Sequence, residues 1–532
     1  MPEPDPRESF VQPSAFPPPS GNVISAVTKP SGPVWASGPV WAPKSVDDTR
    51  ILNASCEPLL RQHPAVPDAV SFQVGAKTFV YDCNSMVLRV VTGEGTRFVV
   101  AEALNAASSR KPVFPPYRVS RPQMLVIEAC HACQFSCKYC QVQAYTDDAA
   151  MMTRQTVQRA ISYFFPNEEA LKTAQIGFFG GEPLLNWAML TETVLFWEGR
   201  CHPRKPKFSV TTNGALITPE RARFFAEHNF SFVFSLDGPE VIHNACRIYG
   251  NGLGTFTDVM RGLEMLHEVG LGHRVTLRAT FTPETAHSLV ARARFLNELC
   301  YKGYANWVSI EPAFLSESMC LDPAVAREGI AAEDVEGLRE EYLRVADWYI
   351  EEARAGRRPA FHNISKFIER LLYCVTAGTE CGAGVGYFSV NSDGDLFGCH
   401  REGPTKVGNL FSGGIDEELR AKWFDNRIYT RAGCMHCAIR YVCGGGCRDL
   451  SLCEGTSIHI PFAAECKLKR LFFETACFIM ASLDREVLER IVPKPRALVK
   501  ESNAGSSERG GRDRRCDLSG CRCSCDKETG LS

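Results

Sequence analysis

The sequence predicts an α/β protein built around a partial (β/α)6 barrel, similar in plan to a TIM barrel. From Met124 to about Phe314, short apolar runs alternate with amphipathic segments, a pattern typical of parallel strands joined by helices. Right-handed crossovers leave two arrangements for such units, a doubly wound sheet or a partial barrel. In both arrangements the chemistry belongs at the carboxyl ends of the strands.

The composition is that of an ordinary globular protein. The chain has 532 residues, several times the ~150 of one domain, and 45% of them are hydrophobic. The 59 basic and 61 acidic residues leave a net charge of -2, so we expect neither nucleic acid nor a membrane as a partner. The N-terminus has neither the basic nor the apolar region of a signal peptide, and we expect a cytoplasmic protein.

Both ends of the chain differ from its centre. Residues 1–48 are rich in proline and contain the hexapeptide SGPVWA twice in tandem. Such a segment cannot bury enough apolar surface to offset the entropy of ordering, so we expect a disordered leader. At the other end we expect a flexible, cysteine-rich tail over residues 483–532.

The sequence between the two ends divides into four segments. Residues 49–115 contain the strand-like runs VSFQV, KTFVYD and SMVLRVV and the helical stretch RFVVAEALNAA, which predict a small α+β module. The barrel spans residues 116–320, with strands MLVIEA, QIGFFGG, KFSVTTN, SFVFSLD, RVTLRATF and NWVSIEPAF. We expect a helical linker over residues 321–372 and a cysteine-rich domain over residues 373–482.

Cysteine is the unusual feature of the composition. The chain has 24 cysteines and no secretion signal, which favours metal or redox chemistry over a disulfide framework. The loop after MLVIEA contains a CX3CX2C spacing, which suits three corners of a four-iron cluster and leaves one iron open. Its cysteines are Cys133, Cys137 and Cys140. A structural zinc with Cys130 or His131 as the fourth ligand is the alternative.

Three more motifs stand at the ends of the next strands. They are Gly180-Gly181-Glu182-Pro183, Thr211-Thr212-Asn213-Gly214, and Ser235-Leu236-Asp237-Gly238-Pro239 with His243 and Arg247 downstream. Together with the cysteine loop, these motifs resemble the radical S-adenosylmethionine (SAM) enzymes over roughly residues 123–314. The resemblance implies reductive cleavage of SAM to a 5′-deoxyadenosyl radical, which abstracts hydrogen from an unactivated carbon.

The same resemblance implies which residues hold SAM. The Gly-Gly-Glu-Pro motif would receive the amino group of its methionine, Ser235 the ribose or carboxylate, and Arg247 the carboxylate through a bidentate pair. Tyr139 lies at the position that flanks the adenine. The predicted cofactor contacts are Tyr139, Gly180, Gly181, Glu182, Pro183, Asn213, Ser235, Asp237 and Arg247.

A second cysteine group resembles the SPASM extension of radical SAM enzymes that modify peptides and proteins. That extension carries two auxiliary [4Fe-4S] clusters, so the resemblance implies three clusters in all. The first auxiliary set is Cys374, Cys381, Cys399 and Cys447. The second auxiliary set is Cys434, Cys437, Cys443 and Cys466, with Cys453 as a rival for the last position. Two structural zincs are the alternative.

The remaining cysteines have unrelated spacings. We expect packing roles for Cys56, Cys83, Cys130, Cys201, Cys246, Cys300, Cys320 and Cys477. The tail holds Cys516, Cys521, Cys523 and Cys525, spaced too tightly for three corners of one cluster. Two interpretations of the tail stay open: exposed thiols on a flexible chain, or a cysteine-rich substrate segment fused in cis that reaches the active site.

The SPASM resemblance implies a peptide or protein substrate and a one-electron donor such as flavodoxin or ferredoxin. We expect thioether crosslinks from cysteine for two reasons. Residues 68–108 resemble the domain by which crosslinking maturases bind a leader peptide as an added strand, although a structural cap has a similar pattern. His400 follows Cys399, where sulfatase maturases have an acidic residue that can act as a base. The alternatives are a formylglycine maturase of the anaerobic sulfatase type and a non-catalytic iron–sulfur scaffold or redox sensor.

Replacing Cys133, Cys137 and Cys140 together by alanine should remove one of about three [4Fe-4S] clusters and abolish SAM cleavage, because these thiols hold the radical cluster. Iron and sulfide analysis after anaerobic reconstitution, together with release of 5′-deoxyadenosine, measures both effects. Zinc in place of iron, or cleavage by the triple variant, would contradict the assignment.

Overall fold

The computed structural model describes most of the chain between its two ends. The described residues are 61–62, 69–83, 86–92, 95–98, 122–140, 150–201, 206–314, 329–401, 403–424, 427–428, 430–453 and 457–494. The predicted leader, Cys56, Cys320 and the four tail cysteines lie outside them. Among the helices of this part of the chain, none combines the length and the apolar character needed to cross a membrane.

The first sheet has five antiparallel strands in chain order. They are β1 (Arg61–Gln62), β2 (Ala69–Val74), β3 (Lys77–Asp82), β4 (Leu88–Thr92) and β5 (Gly95–Phe98). Strands β2 to β4 confirm the three predicted strand runs. The predicted helix RFVVAEALNAA is wrong at its start, because Thr92 pairs with Gly95 across a tight hairpin and Phe98 continues the ladder opposite Arg89. Residues 99–108 lie outside the described residues.

The second sheet contains the barrel. Its six parallel strands are β6 (Met124–Glu128), β7 (Gln175–Phe179), β8 (Lys207–Thr212), β9 (Phe230–Ser235), β10 (Val275–Phe281) and β11 (Trp307–Pro312). They are neighbours in space in the order of the sequence, and each falls within a predicted run or one residue from it. β11 forms one edge of the sheet. The prediction of a partial barrel is therefore confirmed.

Helices connect these strands and cover one face of the sheet. The helices of the described barrel region are α1 (Arg154–Phe164), α2 (Glu168–Leu171), α3 (Trp187–Cys201), α4 (Pro219–Glu227), α5 (Glu240–Cys246), α6 (Phe256–Glu268) and α7 (Leu289–Tyr301). Local sequence sets where they begin. At α4, for example, the Thr218 side chain accepts a hydrogen bond from Arg221 N, and Pro219 occupies the first turn.

The segment after the barrel is helical and then extends the same sheet. It contains α8 (Asp334–Gly337), α9 (Arg339–Arg354), α10 (His362–Leu372), β12 (Tyr387–Val390), β13 (Asp395–Phe397), β14 (Lys406–Asn409) and β15 (Gly414–Ile415). β12 pairs in parallel with β6, and β13 to β15 continue in antiparallel pairs. The cysteine-rich segment is thereby attached to the barrel strand that leads into the CX3CX2C loop.

Short helices contain three residues of the second cysteine group, Cys434, Cys443 and Cys453. The remaining elements are α11 (Glu417–Phe424), α12 (Ala432–Met435), α13 (Arg440–Cys443), α14 (Arg448–Cys453), α15 (Ala463–Ser482) and α16 (Arg485–Ile491). Helix α16 corrects the prediction that the flexible tail begins at residue 483. Leu488 and Ile491 are both buried, so an apolar side of this helix packs on the protein.

The two faces of the barrel sheet have different surroundings. Leu277 and Ile310 are fully buried in the core shared with the helices. On the opposite face a Cβ at Gly177 would lie 2.9–3.3 Å from side-chain atoms of Met124, Ser209 and Val126. We call this opposite face the inner face. The predicted cofactor motifs lie at the carboxyl ends of the barrel strands.

An aromatic contact fastens the five-stranded sheet to α15. Phe473 is fully buried, and its ring centroid lies 5.4 Å from that of Phe72 and 5.0 Å from that of Tyr81. Lys77 Nζ adds a hydrogen bond to Ser482 Oγ at 2.6 Å. This one helix therefore joins the N-terminal module to the cysteine-rich segment.

Truncating Phe473 to alanine should lower the free energy of unfolding by about 3–5 kcal/mol, because it leaves a cavity between the sheet and α15. Urea denaturation of wild type and variant measures the difference. Leu195→Ala, at a side chain that is 59% exposed, is the control and should change stability by less than about 0.5 kcal/mol. Equal midpoints for the Phe473 variant and wild type would rule out this anchoring role.

Candidate active site

The CX3CX2C loop follows β6 and is held by the segment after α5. Ser136 N donates a hydrogen bond to Ile248 O at 2.7 Å. The Phe135 ring packs edge-on against Tyr249, with centroids 5.0 Å apart. The loop conformation thus depends on residues more than 100 positions further along the chain.

The three loop thiols influence one another. Burial raises the pKa of Cys133 and of Cys137 to about 12, and Cys140 contributes in the same direction to both. Arg247 opposes the shift at Cys137, with its Nη1 4.0 Å from the sulfur. A thiolate ligand must lose its proton, and a bound cluster supplies the positive charge that reverses such shifts.

The two candidate fourth ligands of a zinc site are engaged elsewhere. The buried Cys130 Sγ lies 3.3 Å from Glu182 O, and His131 Nε2 pairs with Glu128 Oε1 at 2.9 Å. Throughout the described ranges, no three His, Cys, Asp or Glu side chains gather closely enough for a single metal ion. A four-iron cluster binds each of its ligands on a separate iron, so three loop thiols suffice for it without a fourth protein ligand.

The Gly180-Gly181 turn packs directly on the backbone that leads into the cysteine loop. Gly180 has a φ of 130°, and a Cβ on it would lie 2.3 Å from Cys130 O. A Cβ on Gly181 would lie 2.2 Å from Ala132 O, and Gly181 N donates to Cys130 O at 2.8 Å. Only glycine permits this approach. The end of β7 and the cysteine loop therefore form one surface.

Glu182 ties the ends of β7 and β8 together. It is fully buried and accepts hydrogen bonds from Leu184 N at 3.1 Å, Thr212 Oγ1 at 2.8 Å and Asn213 N at 2.8 Å. Burial raises the pKa of Glu182 to about 7, and these hydrogen bonds oppose the shift. Its predicted contact with the amino group of SAM stays a prediction.

Asn213 extends this connection to the cysteine loop. Its Nδ2 donates to Cys133 Sγ at 3.7 Å, and its Oδ1 accepts from Gln134 Nε2 at 3.1 Å. The ends of three neighbouring strands and the loop thus share one hydrogen-bond network. This is the arrangement that the motif spacing predicts.

A buried ion network lies beyond the end of β9. Asp237 is fully buried, accepts a hydrogen bond from Tyr139 OH and pairs through Oδ1 with Arg247 Nε at 3.0 Å. Burial works against the charge of Asp237, but Arg247 and Arg292 hold its pKa below the usual range. Burial lowers the pKa of His243 to about 4, so this ring is neutral and accepts from Asp237 N at 3.3 Å.

Asp237 fixes the orientation of the Arg247 guanidinium. The group lies over the Tyr139 ring at 5.4 Å, with Nη1 directed towards Cys137. An arginine held along one edge by a carboxylate and turned towards the cysteine loop suits an anionic group bound beside the cluster. The bidentate contact with the methionine carboxylate, and the contact of Ser235, stay predictions.

Three cysteines of the first auxiliary set lie near one another. Burial raises the pKa of Cys399 to about 12, with Cys381 contributing in the same direction. Burial is the main cause that raises the pKa of Cys447, and Glu465, Asp449 and Cys399 add to the shift. The fourth member, Cys374, follows α10 and acts electrostatically on Tyr81 in the five-stranded sheet. Its place in this set stays a prediction.

The second auxiliary set occupies the neighbourhood of α12 and α13. Burial raises the pKa of Cys434 to about 12, and Cys443 and Cys437 contribute. Cys466 lies in the first turn of α15 and follows Glu465, whose charge also raises the pKa of Cys434. The side chain of the rival, Cys453, lies outside the described residues, so the choice between the two is untested.

His400 connects the cysteine-rich segment to the end of β7. Its ring centroid lies 4.3 Å from that of Phe179, and Tyr387 OH bonds to its Nδ1. Tyr387 OH also accepts from the His400 backbone N at 2.8 Å. Burial lowers the pKa of His400 to about 3, so the imidazole is neutral at pH 7.

An ion pair between β10 and β11 is not among the residues that the sequence motifs predict. Arg278 Nη2 lies 2.8 Å from Glu311 Oε2, and Ser309 Oγ donates to Glu311 Oε1 at 2.9 Å. Arg278 is the main cause that lowers the pKa of Glu311 to about 2. Both charged residues alternate with fully buried apolar residues of their strands. A charge at an alternate position of a barrel strand is the signal that could identify them.

Comparison with known proteins agrees with this geometry. Residues 127–296 match the model of the radical SAM superfamily. This chain contains a radical SAM domain. The match implies SAM and one [4Fe-4S] cluster as cofactors, and it favours an enzyme over the scaffold alternative. The match ends at residue 296, so the SPASM assignment of residues 373–482 stays a prediction.

This chain spans different shares of the length of the relatives that it matches. An uncharacterized protein of Methanothermobacter thermautotrophicus is 34% identical over 168 residues, which are 31% of this chain and 58% of the relative. The cysteine-type anaerobic sulfatase-maturating enzyme of Clostridium perfringens is 23% identical over 347 residues, 61% of this chain and 88% of the relative. The structure of anSMEcpe with bound AdoMet has a TM-score of 0.55 at 20% identity, covering 68% of this chain and 98% of that one. The fold is therefore shared.

Gly181→Ala should abolish SAM cleavage, because its Cβ would force Ala132 O and the cysteine loop away from the end of β7. Release of 5′-deoxyadenosine by reduced, reconstituted protein measures the effect. Gly199→Ala is the matched control, since a Cβ there meets nothing within 4 Å in a helix. The control should keep full cleavage and gain about 0.5–1 kcal/mol of stability. Normal cleavage by the Gly181 variant would show that the close approach is not required.

Proposed function

We propose that this radical SAM protein is a maturase that joins a cysteine sulfur to a carbon of a peptide or protein substrate. One contact carries the proposal, the packing of His400 on Phe179 with ring centroids 4.3 Å apart. Phe179 immediately precedes Gly180, and Cys399 immediately precedes His400. The second cysteine group therefore approaches the strand end at which SAM would bind, which suits a substrate held between two redox sites.

The residues around the cysteine loop would orient the cluster and SAM. When bound, the reduced cluster and SAM supply a 5′-deoxyadenosyl radical that takes a hydrogen atom from the substrate. Cys133, Cys137 and Cys140 would hold the cluster, and Arg247, fixed by Asp237, would hold the methionine carboxylate. A one-electron donor such as flavodoxin or ferredoxin would reduce the cluster.

The proposed reaction explains why a second redox site is needed. Formation of a thioether removes one hydrogen atom from the carbon and one proton from the thiol, and one electron leaves as the carbon–sulfur bond forms. The hydrogen atom goes to the 5′-deoxyadenosyl radical and the proton to water or a basic group. Cys381, Cys399, Cys447 and Cys374 would hold an auxiliary cluster, which would supply an acceptor for this electron.

The five-stranded sheet is the proposed site for the leader of the substrate. β1 and β5 are its two edge strands, and an edge strand offers unpaired backbone groups to which an extended peptide can add. Its packing on Phe473 leaves the alternative that the module is a structural cap. Because the module packs on Phe473, its deletion lowers stability in either case, so binding of the substrate leader by the full chain is the measurement that distinguishes the two.

Formylglycine formation is the second candidate, favoured by the similarity to the cysteine-type sulfatase-maturating enzyme of Clostridium perfringens. That reaction also needs a proton acceptor beside the substrate. The residue after Cys399 in this chain is the neutral His400, which is hydrogen-bonded to Tyr387. The sulfatase maturases resemble one another in having an acidic residue at this position. The absence of an acid at this position favours crosslinking.

Replacing Cys399 by alanine, or Cys443 by alanine, should leave SAM cleavage measurable while abolishing product, because each change removes a ligand of an auxiliary cluster and not of the radical cluster. The substrate to try is a short cysteine-rich peptide if a neighbouring reading frame encodes one, or a sulfatase peptide if a sulfatase is encoded there. Mass spectrometry detects the loss of two hydrogens per crosslink, and 5′-deoxyadenosine release serves as the internal control.

Cys300→Ala provides the matched variant, because Cys300 belongs to neither cysteine set. It should keep both activities. Product formation by a variant that has lost an auxiliary cluster would overturn the role proposed for that cluster. Detection of formylglycine in place of a crosslink would show that the protein is a formylglycine maturase. Solubility must be compared first, since each cluster also connects several loops.

A further inference from the structure

Five charged residues form a network between the two auxiliary cysteine sets. Glu380 Oε1 pairs with Lys366 Nζ at 2.7 Å and with Lys469 Nζ at 3.2 Å, and Glu380 Oε2 pairs with Arg370 Nη1 at 3.1 Å. Lys469 Nζ also lies 3.9 Å from Glu465 Oε1. The most exposed of these side chains is 27% accessible. One carboxylate thus holds three mostly buried cations together.

The network touches the segments that carry ligands of both sets. Arg370 Nη1 donates to Val442 O at 2.6 Å and to Cys443 O at 3.3 Å. Glu465 Oε2 accepts from Cys447 N at 2.7 Å. Glu380 and Glu465 themselves immediately precede Cys381 and Cys466. Segments from four separate parts of the chain are therefore connected through charged side chains.

The glycines between Cys443 and Cys447 leave room for the carboxylates of Glu380 and Glu465. Gly444, Gly445 and Gly446 have φ values of 81°, 94° and 72°. A Cβ on Gly444 would lie 3.2 Å from Glu380 Oε2, and one on Gly446 would lie 2.6 Å from Glu465 Oε2. The turn that joins the two sets is thus shaped around the network.

We propose that Glu380 is a positioning residue that couples the two auxiliary sets. Its carboxylate holds Arg370 against the backbone of Cys443, so the second set closes only when the segment next to Cys381 is in place. Without that carboxylate, the three cations repel one another and Arg370 releases Cys443. This inference rests on the proposed function, because it assumes that both sets hold clusters. A buried ion network of this kind contributes mainly specificity, since desolvation offsets its attraction.

The test compares three variants of the full chain after anaerobic reconstitution. Glu380→Gln removes the charge of the carboxylate, and Cys443→Ala provides the reference for a missing second auxiliary cluster. Glu474→Gln is the matched control, because Glu474 is a buried partner of Arg339 at 2.5 Å in the same helix as Lys469. Iron and sulfide content and the EPR spectrum of the reduced protein are measured for each.

Wild type should bind about three [4Fe-4S] clusters, and Glu380→Gln should lose about one of them, with an EPR spectrum that matches Cys443→Ala. Glu474→Gln should keep its full iron content. Arg370→Lys keeps the charge, but the lysine side chain is shorter and lacks the planar fork that reaches the carboxylate and both carbonyls, so it should lose the same cluster. This fourth variant keeps the test informative if Glu380→Gln is insoluble.

Two results would overturn the coupling role. One is wild-type iron content and EPR spectrum in both the Glu380 and the Arg370 variants. The other is an equal loss of iron in Glu474→Gln, which would assign the effect to general stability. A wild-type chain with a single cluster would instead refute the proposed function, and the same measurement shows this before any variant is compared.

Discussion

The active site depends on the close contact between the Gly180-Gly181 turn and the backbone of residues 130–132. Because Gly180 and Gly181 have no Cβ, the two backbones can approach to hydrogen-bond distance. The turn then presents Glu182 to the end of β8, where Asn213 contacts Cys133. A single steric constraint therefore sets the positions of three strand ends relative to the cysteine loop.

Buried charge serves orientation at two places in the molecule. Asp237 holds Arg247 beside the cysteine loop, and Glu380 holds Arg370 beside Cys443. Desolvation offsets much of the attraction in such pairs, so they add little net stability, whereas loss of one partner leaves an uncompensated charge. Their value lies in fixing one arrangement of a flexible arginine, which is what a bound cofactor or a cluster ligand requires.

The fold alone does not decide which reaction the protein catalyses. The chain shares its architecture with anSMEcpe, yet the residue after Cys399 is a neutral histidine packed between Phe179 and Tyr387. Function depends on such site residues more than on the sheet that carries them. The Arg278–Glu311 pair is a further feature of the site, because its side chains are 36% and 38% exposed although each residue lies within a barrel strand.

The sequence by itself determined the strands of the barrel and the motifs at their ends, because periodicity and motif spacing are local properties. It did not determine that Arg97 and Phe98 form a strand, since a short apolar run suits either structure until it pairs with β4. It also could not reveal that Glu311 meets Arg278, 33 residues away, or that Lys469 meets Glu380, 89 residues away. Only the tertiary structure decided these pairs, because an ion pair depends on distance in space, which the spacing of residues along the chain does not fix.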